Sequence, residues 1–507
     1  MTLSRIALIA IFAVAALVRA ASVDRPIDKA SWRECDLGAV SKNFAVEGMD
    51  LFYPRIDWRG DGPGYAEMEF PLYPFITAIS YQIFGIHDQI GRVWAFLFSL
   101  GTLIFFYQLA HEYLDKWPAV AAFAFFAFNP LVFETSTSVQ PEGLMLMAYV
   151  GAVYLFVRWL RTGASIDLAG AAVMTALALL AKASAGHIGL LFGILLIQKY
   201  GWRAVLQLRL WLFAIAGVLP GALWYIHAKH LWTTYGNSLG VSNEYHWIGP
   251  DFFTDQYFIS GILQNEFTWV WMSLGVLVAV FGVWRGRREV ATCHSVIWLA
   301  SVFIFYVLAS RTTADEWAYY YHVFSVAPFA VLFGSGVSKL GEMFRDTANS
   351  YSSISLSVKL LRGVAAALVT ASMMLAFTLE ARQVRADFQD GRSHSPGYVF
   401  AAEVKDKLTK PGLILASGGH CKDPDGYQVA YNASYMFYWL DRKGWNVCVE
   451  DQSAAAVRSY SDKGAVYFVA EAKYLRETPG LETELRQTYD LVADNSDFAV
   501  FDLTSAR

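Results

Sequence analysis

Apolar runs of helix-forming length recur along this chain at 6–20, 91–110, 118–134, 142–160, 166–181, 186–198, 209–226, 266–284, 294–309, 321–338 and 360–379. About eleven such runs, near the ~20 residues that cross a bilayer as a helix, predict an α-helical polytopic membrane protein. Several are short, so flanking residues must complete them. Two polar stretches break the pattern: a long loop after the first run, within 21–90, and the tail 381–507. In the tail, short β-rich runs at 412–417, 445–449, 465–470 and 498–503 alternate with helix-compatible stretches at 451–459 and 472–488. That alternation predicts a small α/β domain. The expected division is therefore a membrane domain over 1–380 and an α/β domain over 381–507.

The basic residues orient the helices, because cytoplasmic connections carry the excess of Lys and Arg. The rich connections hold Arg158 and Arg161; Lys199, Arg203 and Arg209; Arg285, Arg287 and Arg288; and Lys339, Arg345, Lys359 and Arg362. With these inside, the loops 135–141, 182–187, 227–265 and 310–320 face out, and among their basic residues are Lys182, Lys229 and Arg311. The ambiguous run 70–86 then lies along the surface as an interfacial or re-entrant helix, since a crossing there would put the long first loop inside. An odd number of spans sends the tail to the extracytoplasmic side of an inner membrane. The N-terminal run, with its Ala-Ala-Ser flank, has the look of a cleavable signal peptide. A retained first helix is the preferred reading, and either one leaves the loop outside.

Composition agrees: 55% of residues are hydrophobic, 16% aromatic and only 17% charged, with a mean hydropathy of +0.35. A net charge of −4 and no clustered basic stripe exclude nucleic-acid binding. The four cysteines, Cys35, Cys293, Cys421 and Cys448, show no metal-ligand spacing. Cys421 and Cys448 pair if the tail lies in an oxidising compartment; two buried thiols fit the sequence equally well. No P-loop, HExxH or GxGxxG pattern occurs, so neither a nucleotide-driven pump nor a zinc protease is indicated. Asp423-Pro424-Asp425 reads as a turn before it reads as a metal-binding pair.

Candidate chemistry collects in the outward loops. The first carries Asp36 near its start and Glu67 and Glu69 near its end, with Trp32, Arg33, Trp58 and Arg59 between them. Carboxylates set over an apolar platform suit a general base, although acidic loops at a membrane also serve simply to stay wet. Glu142 opens the helix after 135–141, and Lys182 stands at the outer end of two short apolar helices. Lys182 either snorkels to headgroups or contacts a phosphate. Arg311 and the run Glu316-Trp317-Ala318-Tyr319-Tyr320-Tyr321-His322 add a cation, phenols and a histidine on the same face. Together they make an anion site beside a carboxylate site.

The order and shared sidedness of Asp36, Glu69-Phe70-Pro71-Leu72-Tyr73-Pro74, Pro141-Glu142 and the Ala-Lys-Ala-Ser-Ala-Gly start at 181–186 resemble the GT-C glycosyltransferases. The branch they are most similar to holds the lipid A aminoarabinose transferases and protein O-mannosyltransferases, over roughly residues 1–340. The resemblance implies inverting transfer of a sugar from a polyprenyl-phosphate donor to a lipid, glycan or protein acceptor on the outer face. It implies Asp36 as catalytic base and Glu69 as an orienting acid. Trp32, Arg33, Glu67, Tyr73, Glu142, Lys182, Arg311, Tyr320, Tyr321 and His322 are the expected substrate contacts. No metal ligand is assigned and no cofactor is required; a divalent ion is left open, because the family has members of both kinds. Where many relatives have Lys and two prolines after the acid, this chain has Phe70 and Pro71, which places more weight on Lys182, Arg311 and His322. A flippase for a lipid-linked sugar and a non-catalytic sensor built on the tail are the alternatives. Transporters bury ionisable residues and broken helices near the midplane and show repeats.

Overall fold

The computed structural model describes residues 2–29, 31–241, 253–255, 257–349, 356–390, 394–422 and 434–505. The Asp423-Pro424-Asp425 turn falls outside them. By their internal contacts the residues divide into two compact units. One comprises 1–23, 95–223 and 243–390, the other 24–94, 224–242 and 391–507. This division cuts across the expected boundary at 380, because the helix Leu356–Asp390 runs through it and the first loop groups with the tail.

In chain order the first ten helices are α1 (Leu3–Ala20), α2 (Trp32–Glu47), α3 (Leu72–Phe84), α4 (Asp88–Tyr113), α5 (Lys116–Phe128), α6 (Pro130–Glu134), α7 (Glu142–Thr162), α8 (Ser165–Ala181), α9 (Ile188–Tyr200) and α10 (Leu208–Tyr235). Every expected apolar run is helical over most of its length. Among the described residues, eight helices are long and apolar enough to cross a membrane. A ninth is counted if Phe258–Val270 and Gly275–Gly286, bent by 97° at their junction, form one span.

The expected runs at 118–134 and 166–181 instead give the shorter helices α5 and α8. In the first case Asn129-Pro130 is the cause: Asn129 Oδ1 accepts from the Leu131 amide at 3.1 Å, ending α5 and starting α6. At 1.5 Å per residue a 13-residue helix reaches only about 20 Å of the ~30 Å hydrocarbon core. Burial separates inner from outer helices. The α7 span is 78% buried and the Glu316–Arg345 span 89%, whereas α1 is 17% buried and presents its apolar side chains outward.

In the second unit the ambiguous 70–86 run is α3, also 13 residues and too short to span. Its Phe75 and Ala78 pack with Leu37, Val40 and Phe44 of α2, with Ile56 and Met68, and with Leu239. Ser31 caps α2 by accepting from the Glu34 amide at 3.3 Å.

The tail forms a five-stranded sheet from β1 (Leu413–Ser417), β2 (Gly444–Val447), β3 (Ala465–Glu471), β4 (Asp490–Asp494) and β5 (Phe498–Asp502), in the order β2-β1-β3-β5-β4. β1 pairs in parallel with β2 and β3, and β5 runs antiparallel to β3 and β4. Leu415, Phe468, Phe501 and Leu485 lie in its core. Four strands match the expected runs; β4 was not expected, because an exposed edge strand with acids at both ends carries little apolar signal. Cys421 and Cys448 form a disulfide with Cα atoms 5.6 Å apart, while Cys35 and Cys293 are free.

First loop and tail are interlocked within this unit. The Trp439 indole donates to the Ile27 carbonyl at 2.6 Å and the Tyr438 hydroxyl to Asp88 at 2.6 Å. Asp28 meets His394 at 2.7 Å, the Gly60 amide donates to the Gly444 carbonyl, and the Gly444 amide donates to the Asp57 carbonyl. Glycines permit the close approach: a Cβ on Gly60 would overlap Trp445 Nε1, and one on Gly38 would lie 2.8 Å from the Tyr438 ring.

Candidate active site

Asp36 lies on the second turn of α2 and is 1% exposed. Its Oδ1 accepts a hydrogen bond from the Trp58 indole at 2.8 Å. Its Oδ2 is buried without a hydrogen bond of ordinary geometry among the described residues. Burial raises the carboxyl from its ordinary 3.8 to about 7, against smaller downward pulls from Trp58, Arg33 and the Ser434 hydroxyl. A carboxyl so poised is half ionised near neutrality and keeps one oxygen for a proton.

Its neighbours are placed by a chain of contacts. Arg33, one turn before Asp36, is ion-paired with Glu69 and donates to the Leu239 carbonyl at 3.4 Å. Glu34 bonds Arg92 at 3.3 Å, and Arg92 in turn donates to the carbonyls of Arg25 and Pro26, tying the entry of α2 to the start of α4. Asp57 accepts from Asn43 at 2.8 Å, and burial raises its pKa to about 6. Trp58 is therefore presented to Asp36 from a segment anchored on both sides. Trp58 lay among the loop residues of interest without an expected role; Asn43, Asp57 and Ser434 had no sequence signal at all.

Glu67 is fully buried, bonded to the Ser238 hydroxyl and held in a β-bridge with Ser238. It ties the loop to segment 224–242. Tyr73 is fully buried as well, and its hydroxyl donates to the Gly91 carbonyl at 2.8 Å. Trp32 opens α2, but its side chain lies outside the described part.

The first unit holds the remaining candidates. The Lys182 ammonium sits 2.5 Å from Glu142 Oε1, with both side chains buried. It also lies over the rings of Tyr320 and Tyr321, 4.6 and 4.3 Å from their centroids. Lys182 thus does not snorkel; it is caged by a carboxylate and two aromatic faces. Arg311 lies in the short helix Ser310–Thr313 and is partly exposed.

His322, an expected ligand contact, is a buried and partnered ring. It is 0% exposed, with Nδ1 2.8 Å from Glu266 and Nε2 2.9 Å from the Thr313 carbonyl. Glu266 also accepts from the Ser325 hydroxyl at 2.5 Å. It escaped notice in the sequence because it opens an apolar run, where it reads as a boundary residue.

A model of the family of dolichyl-phosphate-mannose-protein mannosyltransferases matches residues 63–226. Compared with curated proteins by sequence, the chain has no match. Among solved structures, ArnT from Cupriavidus metallidurans bound to undecaprenyl phosphate is similar with a TM-score of 0.62 at 13% identity, covering 98% of this chain and 97% of that one. The chain has the GT-C fold. The resemblance drawn from its motifs is thereby borne out, and it extends past residue 340 into the tail. Archaeal AglB from Archaeoglobus fulgidus, an oligosaccharyltransferase in complex with an inhibitory peptide and a dolichol-phosphate, shares the GT-C fold at a TM-score of 0.54 and 12% identity. That match covers 96% of this chain and 72% of AglB. The mycobacterial arabinofuranosyltransferase AftD, with a TM-score of 0.54 and 13% identity, contains the whole of this chain's fold in 40% of its own length.

Proposed function

We propose that the chain is a membrane glycosyltransferase that moves a sugar from a polyprenyl-phosphate carrier to a hydroxyl acceptor on the outer face of the membrane. The observation that carries this reading is Asp36: a buried carboxyl on a GT-C fold, steadied by a neutral indole, whose second oxygen accepts no hydrogen bond of ordinary geometry among the described residues. The acceptor oxygen attacks the anomeric carbon while its proton passes to Asp36 Oδ2. The bond between the anomeric carbon and the phosphate oxygen breaks, and the polyprenyl phosphate leaves with the electron pair. Attack opposite the leaving group inverts the anomeric centre. A phosphate leaving group asks for charge stabilisation more than for a strong acid. Glu69 supports Arg33 and through it the first turn of α2. The disulfide supports an extracytoplasmic tail, since such bonds persist in oxidising compartments.

The test is transfer of label from polyprenyl-phosphate sugar pools into lipid and protein fractions of membranes containing the full chain. Acceptor class follows from the fraction labelled. A second reading, a translocase for the lipid-linked sugar, draws on the sharply bent helix pair at 258–286 and the buried Glu266–His322 pair, features that transporters place at their sites. Label that crosses reconstituted bilayers without reaching any acceptor would favour it.

A further inference from the structure

The helices α1 and Leu356–Asp390 line a cavity of about 580 Å³ within the first unit, inside the roughly 300–1,000 Å³ typical of small-molecule sites. Its walls are apolar, with Leu17 and Val18 of α1 facing Phe128, Phe377 and Val384. Two charged residues break them: Arg385, which is exposed, and Glu380, which is 0% exposed. Both its carboxyl oxygens are buried with no hydrogen-bond partner among the described residues. It lies inside the candidate span Arg362–Ala386. Arg19 of α1 does not answer it: its two terminal nitrogens donate to the carbonyls of Ala15 at 3.1 Å and Ala127 at 2.6 Å, and both Glu380 oxygens stay without a partner among the described residues.

A carboxyl with four vacant acceptor sites in an apolar chamber is costly unless something occupies it. Ionisable groups at membrane depth mark ligand sites more often than packing positions. We propose that this cavity binds an amphiphile whose hydrocarbon chain fills the apolar walls and whose primary ammonium head bonds Glu380. The ammonium's three donors match the vacant oxygens, and the opposite charge answers the buried acid. This site is separate from the Asp36 chemistry and does not rest on it.

The experiment titrates the full chain, purified in a nonionic detergent, with dodecylammonium, dodecanol and dodecanoate, reading bound ligand by native mass spectrometry. The expected order is dodecylammonium at least tenfold tighter than dodecanol, with dodecanoate weakest. Glu380→Gln, which keeps the shape, and Glu380→Leu both bring dodecylammonium to the level of dodecanol. Ala381→Phe, which fills the cavity and leaves Glu380 in place, abolishes binding of all three. Equal binding of the amine and the alcohol to the wild-type chain, an amine preference that survives both Glu380 variants, or binding unaffected by Ala381→Phe overturns the proposal. So does the absence of any binding.

Discussion

Asp36 and Glu142 are both buried carboxyls near the start of a helix, and their partners set them apart. Glu142 faces the Lys182 ammonium at 2.5 Å, so charge meets charge and the pair is structurally closed. Asp36 faces an indole N–H at 2.8 Å, which steadies an oxygen without neutralising it. Burial then governs, and the Asp36 proton affinity rises to the neutral range. An ion pair would have held the carboxylate charged and made it a weak base. The same residue type therefore supports structure in one unit and has the makings of a base in the other.

The largest expected effect breaks this contrast on the Asp36 side. Asp36→Asn retains an oxygen for Trp58 but offers no base, so sugar transfer should fall by about 10²–10⁴-fold. Thermal melts at pH 8 should show the variant at or above the wild-type midpoint, because ionising a buried carboxyl whose pKa is raised costs stability above its ordinary range.

Next, on the Glu142 side, Lys182→Ala leaves a buried charge unpaired and should cost about 3–5 kcal/mol of stability. The double change Lys182→Met with Glu142→Leu should recover most of that in the same melts. If Lys182→Ala melts like wild type, Glu142 is not held by the pair.

Gly38→Val tests how α2 is seated. The added carbon atoms meet the Tyr438 ring, and a shift of about 1 Å at Asp36 should lower transfer roughly 100-fold. Binding of the lipid donor, measured separately, should change little.

The smallest effect sharpens the comparison. Wild-type transfer should rise with pH and level off above about 7, because only ionised Asp36 accepts the proton. Trp58→Phe removes a donor that favours the charged form, so the midpoint of that limb should move upward by about one pH unit or less. A downward move would contradict the role assigned to the indole.

Much of this was legible along the chain. The helical runs were visible because a bilayer demands long apolar stretches, and the four buried strands because their apolar residues are concentrated. Asp36 and Glu69 stood out as acids of a polar outer loop, and Lys182 as a cation between two short apolar helices. What stayed hidden depended on partners distant in sequence. Tyr73 and His322 carry ligand-like side chains, and their contacts with Gly91, Glu266 and Thr313 are seen only in the fold. Glu380 directly follows an apolar run, where an acid carries no signal of its own; that it has no partner among the described residues is a property of space.

The sequence by itself determined the membrane class, the succession of helices, the α/β character of the tail and the loop that carries the candidate base. Those follow from hydrophobic periodicity and local propensity, which act over a few residues. The tertiary structure alone decided that the tail packs with the first loop, that Cys421 meets Cys448, and that Asp36 is answered by an indole while Glu142 is answered by an ammonium. Proton affinity and ion pairing depend on burial and on neighbours within a few ångströms, and folding brings those neighbours together from positions far apart in the chain.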